Sequence, residues 1–118
     1  MEIDRPWMPV WVGDTLLRTQ HLSPSQHGAY TWLVYSYWQN KGLPTDERKL
    51  ARLARMSREE WDHDRNEIAT MFEPGWKLPW LDKEIERALT KFENRSAGRK
   101  KLHEAGNVIG FKPNLGQK

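Results

Sequence analysis

"LARLARMSREEW", Leu50 to Trp61, is the stretch on which the fold turns. Leu50, Leu53 and Ala54 fall at helical spacing. Ser57 and Glu60 then have the form of a capping box: the serine oxygen accepts from the backbone N–H three residues on, and the glutamate accepts from the serine's own N–H. One short helix therefore ends near Arg55, and another opens at Arg58 after a residue or two of turn. Trp61, Ile68 and Met71 or Phe72 mark the buried side of the second helix. Short helix, tight turn, helix is the helix-turn-helix arrangement.

Outward from this pair, "LPTDERKLARLAR" starts with Thr45 or Asp46 as N-cap, and Asp46 and Glu47 favour the positive end of the helix. Arg48, Arg52 and Arg55 fall on a face away from the leucines and form a basic outer stripe. Further upstream, Ser23, Pro24 and Gln26 make another capping box, with proline at the first helical position, where its missing N–H costs nothing. From Pro24 onward, Tyr30, Leu33, Val34, Tyr37 and Trp38 recur at helical spacing, and Trp32 and Tyr35 widen the apolar surface. Such a helix is central and packed on more than one side. It should stop near Lys41, because Gly42 can take the left-handed cap conformation and Pro44 follows.

The flanks read differently. "WMPVWV", residues 7–12, is aromatic and β-branched with Pro9 inside, which predicts a short edge strand or extended segment turned by Gly13-Asp14. In "EPGWKLPWLD", Pro74-Gly75 signals a turn and "WKL" alternates like a strand, so a small β wing is expected here, paired with "VWV". A last amphipathic helix carries Leu81, Ile85, Ala88, Leu89 and Phe92; Leu81, Ile85, Leu89 and Phe92 offer a face for docking on the body or for a homodimer. The expected fold is mainly α with a small β wing: a winged helix-turn-helix with a central first helix and a C-terminal amphipathic helix. The domain should span 1–92, with a basic, partly flexible tail over 93–118.

Composition narrows the chemistry. The 118 residues include no cysteine, which excludes disulfides, thiolate catalysis and Cys-ligated metals within this chain. The four histidines do not fall at metal-ligand spacing; Glu59 and His63 share a helical face, but no second histidine is near in sequence. Gly-rich phosphate loops, nucleophile elbows and paired carboxylates in an active-site context are missing, so no catalytic, cofactor or metal residues are assigned and no enzyme is expected. No apolar run approaches a membrane span, and the acidic start "MEIDRPW" is unlike a signal peptide, which places the expected protein in the host cytoplasm with no membrane partner.

Charge is unevenly spread. Residues 1–81 carry 10 Lys/Arg against 11 Asp/Glu, whereas 82–118 carry 9 against 5. A near-neutral body with a basic arm suits DNA held mainly through its phosphates. The candidate contacts are Arg48, Lys49, Arg52 and Arg55 on the second helix, Arg58, Arg65 and Asn66 on the third, Lys77 on the wing, and Arg99, Lys100 and Lys101 in the tail. Glu59, Asp62, Asp64 and Glu67 oppose base reading by the third helix, since carboxylates near phosphates cost affinity. Trp7, Trp11, Trp76 and Trp80 sit in the extended segments; most should fill the core, and one or two left exposed would mark a partner surface.

Residues 6–92 also resemble a known family. A Trp/Pro-rich start with "VGD", "HLS" leading to "HGAY", an aromatic "YW", "LPTD", "LARLARMSREEW" and a late "LDKEIE" are similar, in that order, to the YdaU-like domain of unknown function found in phage and prophage proteins. The resemblance implies a replication-associated winged-helix domain, akin to the N-terminal part of phage replication initiators. Gly13, Asp14, His27, Gly28, Tyr30, Trp38 and Trp61 then look architectural. The expected function is DNA binding in phage or prophage replication initiation. The alternative is a non-enzymatic interaction module for a host or phage partner in replication or defence.

Overall fold

The computed structural model describes residues 7–91, and they form five helices. These are α1 (Val12–Arg18), α2 (Pro24–Asn40), α3 (Glu47–Leu53), α4 (Arg58–Ala69) and a helix over 79–91, α5. The described residues divide into two units between residues 85 and 86. In the first, α2, α3 and α4 pack against one another.

Local signals set the starts of these three helices. Ser23 and Ser57 each close a complete capping box, with Gln26 and Glu60 as the reciprocal partners. Asp46 caps α3 by accepting from the N–H groups of Arg48 and Lys49, and these bonds hold its carboxyl below the usual range. The ends differ from expectation. Lys41, and not Gly42, adopts the left-handed conformation that ends α2, while Gly42 follows at φ 146° and donates back to the Tyr37 carbonyl. Arg55 repeats the device after α3: it is left-handed at φ 59°, and the Met56 N–H reaches the Ala51 carbonyl.

The core is built on aromatic volume. Leu33 from α2, Leu50 and Ala51 from α3, and Trp61 and Ile68 from α4 close around Trp76, with Phe72 and Met56 at the margin. Trp61 and Trp76 lie 5.5 Å apart between ring centres, Phe72 meets Trp76 edge-on at 5.3 Å, and Tyr30 meets Phe72 edge-on at 5.8 Å. Each such ring buries roughly 150–250 Å², which lets a small domain with few aliphatic residues form a core.

The β wing is not present, and that overturns the winged helix-turn-helix. Among the described residues there is no strand; Glu73 and Lys77 form an isolated bridge, exchanging backbone hydrogen bonds of 2.9 and 3.1 Å. Between them Gly75 and Trp76 both take positive φ, and this tight turn drives Trp76 into the core. The alternation of "WKL" has the pattern of a strand's two faces, but it serves burial: Trp76 and Leu78 point inward, Lys77 is exposed, and Pro79 opens α5 at once. The expected partner strand is missing as well. Val12–Arg18 is helical, Gly13 and Asp14 lie inside it rather than in a turn, and Trp11 is an N-cap without a side-chain hydrogen bond.

Tyr37 fastens the start of α5 to α2. Its hydroxyl donates to Asp82 Oδ1 at 2.6 Å and accepts the buried N–H of Leu78 at 3.2 Å. Leu81 and Ile85 are buried within this unit. They cannot serve as the expected homodimer face without unpacking it; Leu89 lies in the second unit, and Phe92 lies outside the described residues.

Candidate nucleic-acid interface

Because α3 turns Leu50 and Ala51 into the core, Arg48, Lys49 and Arg52 are left exposed on its outer side. The left-handed turn at Arg55 then reverses the chain so that the start of α4 comes alongside. The result is an open groove of about 580 Å³ lined by Arg48, Arg52 and Arg58, with Ala51 and Met56 between them. Arg48 and Arg52 form no ion pair among the described residues, and Arg58 has an exposed one with Asp62 at 3.2 Å. Exposed pairs of that kind contribute about 0–1 kcal/mol, so Arg58 is readily recruited by a stronger anion.

The other sequence candidates are placed elsewhere. Arg55 lays its guanidinium 3.5 Å from the centre of the Trp32 ring, a cation–π contact that takes it out of the stripe. Arg65 is held by Glu47, with Nε donating to Oε1 at 2.7 Å and Nη2 to Oε2 at 3.1 Å. Asn66 accepts from Arg65 Nη1. Lys77 is exposed on the 73–77 turn, and Lys49 is exposed on α3 outside the groove lining. Arg99, Lys100, Lys101 and the rest of the 93–118 tail lie outside the described residues.

A clamp joins α3 to α4 through residues that do not line the groove. Glu47 Oε1 accepts from the indole N–H of fully buried Trp61 at 2.7 Å as well as from Arg65, so one carboxylate joins the first turn of α3 to two positions on α4. The Arg65 hydrogen bond, then the Trp61 one, hold the Glu47 carboxyl below its ordinary range against the opposing effect of burial. The Arg65 guanidinium is correspondingly raised. Gln26, having closed the α2 capping box, donates from Nε2 to Asp64 Oδ1 at 3.0 Å, and this bond lowers the Asp64 carboxyl and ties α2 to α4.

The outer face of α4 carries exposed Glu59, Asp62 and Glu67, with His63 beside half-buried Asp64. Such a face disfavours close approach to phosphates. Ala51 and Met56, the groove's apolar lining, carry no local sequence signal of that role; the Met56 N–H to Ala51 carbonyl bond across the turn brings the two residues together. Among the described residues no three His, Asp or Glu side chains cluster as metal ligands do. No helix among them is long and apolar enough to cross a membrane.

Residues 6–90 match the model of a family described as "Protein of unknown function (DUF1376)". The chain belongs to this family. It is also 43% identical over 56 residues to "Uncharacterized protein YdaU" of Escherichia coli (strain K12), a match that covers 48% of this chain and 19% of that protein. The chain thus spans about a fifth of the length of the curated relative it matches. The family membership bears out the YdaU-like resemblance of the sequence. No solved structure matches the chain.

Proposed function

We propose that the domain binds DNA through its phosphate backbone, with Arg48, Arg52 and Arg58 as the anchoring contacts and Lys49 at their side. The observation that carries this reading is the convergence of three arginines from α3 and α4 on one open groove. Two of the three form no salt bridge among the described residues, Arg48 lying only within electrostatic range of Asp46, and guanidinium groups match phosphate oxygens in a two-pronged geometry. The acidic face of α4 argues against that helix entering a DNA groove to read bases, which leaves the contacts to the arginines at its start and on α3. A role in phage or prophage DNA replication follows from the resemblance to replication-associated phage domains and rests on it alone.

A salt-titrated binding assay on duplex and single-stranded DNA tests the proposal. Affinity should fall steeply with salt, and each of Arg48→Ala, Arg52→Ala and Arg58→Ala should reduce the log–log slope by about one. Arg65→Ala, which breaks the clamp instead of the groove, should act through stability. A wild-type domain that shows no binding at low salt, or a triple variant with an unchanged slope, refutes it. The exposed apolar residues around α1 favour a second reading, a protein-interaction module.

A further inference from the structure

Helix α1 is amphipathic in the wrong sense for a helix that belongs only to its own domain. Successive residues of an α-helix are about 100° apart, so Val12, Leu16, Gly13 and Leu17 share one arc of its surface, and Asp14, Thr15 and Arg18 share the other. The apolar arc faces solvent: Val12, Leu16 and Leu17 are each about two-thirds exposed, at 65, 65 and 69%. The polar arc is the side that makes contact. Thr15 and Arg18 are half-buried, and the Arg18 guanidinium lies 4.6 Å from the centre of the Trp80 ring. No residue of α1 is buried. Val10 and Trp11, just before it, are more than half exposed and extend the same apolar surface.

We propose that this surface is the interface of a homodimer, in which α1 packs antiparallel against α1 of a second copy across a twofold axis near Leu16. Area supports the assignment. Val10, Trp11, Val12, Leu16 and Leu17 together expose roughly 400 Å² of apolar side chain, taking about 200 Å² as the full side-chain area of tryptophan and about 120 Å² for valine and leucine. A standard interface buries about 800 Å² per partner, of which about 65% is apolar in homodimers, or roughly 520 Å². The patch therefore supplies most of the apolar part of one side of a standard-size interface, which suits a concentration-dependent dimer.

Shape and charge point the same way. A Cβ at Gly13 would meet nothing within 4 Å, so the arc has a bare position where a second helix backbone can approach closely. A twofold pairing needs one patch to be complementary to itself, which an uninterrupted apolar arc is. An anionic membrane is a poorer match, because residues 7–18 carry only Asp14 and Arg18 as charged side chains, with no net positive charge, and Arg18 is turned to Trp80 on the far side of the helix. The dimer is independent of the DNA reading, although it would put two arginine grooves on one particle.

Sedimentation velocity of the full chain, over a range of concentrations and without DNA, tests this. The wild type should shift from monomer to dimer with rising concentration, and Leu16→Glu should weaken the dimer at least 30-fold while leaving the circular dichroism spectrum unchanged. Since the chain has no cysteine, Leu16→Cys provides a second measurement: oxidation should join two copies through this site, while Glu59→Cys on α4 should stay unlinked. Three results overturn the proposal. They are a wild type that stays monomeric at high concentration, a dimer indifferent to Leu16→Glu, and a monomer that co-sediments with phosphatidylcholine or phosphatidylserine vesicles through Leu16.

Discussion

Replacing Glu47 with alanine removes one side chain and disturbs two helices. Trp61 is fully buried beneath Glu47, so its indole N–H would lose a charged acceptor and could regain one only from water entering the space the carboxylate leaves. A hydrogen bond to a charged group contributes about 1.5–3 kcal/mol, most of which is lost here because the donor stays unsatisfied. The Arg65 pair is about one-third exposed on each side and adds about 0–1 kcal/mol after screening. Glu47→Ala should therefore destabilise the domain by about 2–3 kcal/mol, lowering Tm by roughly 8–20 °C for a domain of this size. Glu47→Gln keeps an acceptor for Trp61 and should cost about half as much. Thermal and urea unfolding followed by circular dichroism measure both. The clamp is refuted if Glu47→Ala unfolds within 0.5 kcal/mol of wild type, or if the glutamine variant is as damaged as the alanine one.

Stability should also fall on both sides of neutral pH, for opposite reasons. Asp46, Glu47, Glu60 and Asp64 all have carboxyls lowered in the folded state, so the unfolded chain takes up protons first as pH drops. Their contribution is complete above the ordinary carboxylate range and is lost as pH falls through the folded values; urea midpoints that hold steady from pH 6 to pH 3 would contradict this. Burial first, and the Asp82 hydrogen bond second, push Tyr37 up to about 12, and burial also raises Tyr30. These groups stabilise fully below about pH 10, where free tyrosine titrates, and that contribution is lost as pH rises through the folded values. Tyr37→Phe should remove much of this alkaline loss, as read from tyrosinate absorbance and Tm. At neutral pH the same variant strands the Leu78 N–H and should cost about 1–3 kcal/mol, checked by urea unfolding.

What was legible in the sequence was what neighbouring residues decide among themselves. Ser23 with Gln26, Asp46 ahead of Glu47, and Ser57 with Glu60 announce three helix starts within four residues each, and all three helices begin where those signals lie. Helix α1 lacked such a signal: Trp11 offers no capping oxygen, and tryptophan, valine and Gly13-Asp14 have the composition of a strand and turn. The wing failed for a related reason. A two-residue alternation, Trp76 and Leu78 inward with Lys77 outward, is shared by a strand and by a tight turn that plugs a core.

At the groove, Arg48, Arg52 and Arg58 were readable as exposed cations. The diversion of Arg55 and Arg65 was not, because Trp32 and Glu47, which engage them, stand on other helices and no spacing within one helix signals either contact. Spacing also could not tell that Leu81 and Ile85 face their own domain, since an apolar stripe looks the same whether a helix docks at home or on a copy.

The Glu47 clamp bears on the order in which the chain organises itself. It joins residues 14 and 18 positions apart, whereas the Tyr37–Asp82 bond closes a loop of 45. Loop-closure entropy makes the longer connection about 0.8 kcal/mol harder to form. The α3–turn–α4 hairpin is thus the part that can assemble from its own residues, with capping box, left-handed turn and clamp all local. α5 joins later, when Tyr37 finds Asp82 and Leu78 closes over the core. The arginine groove is built by the segment with the shortest loop to close, so it would take shape before the rest of the domain has finished folding.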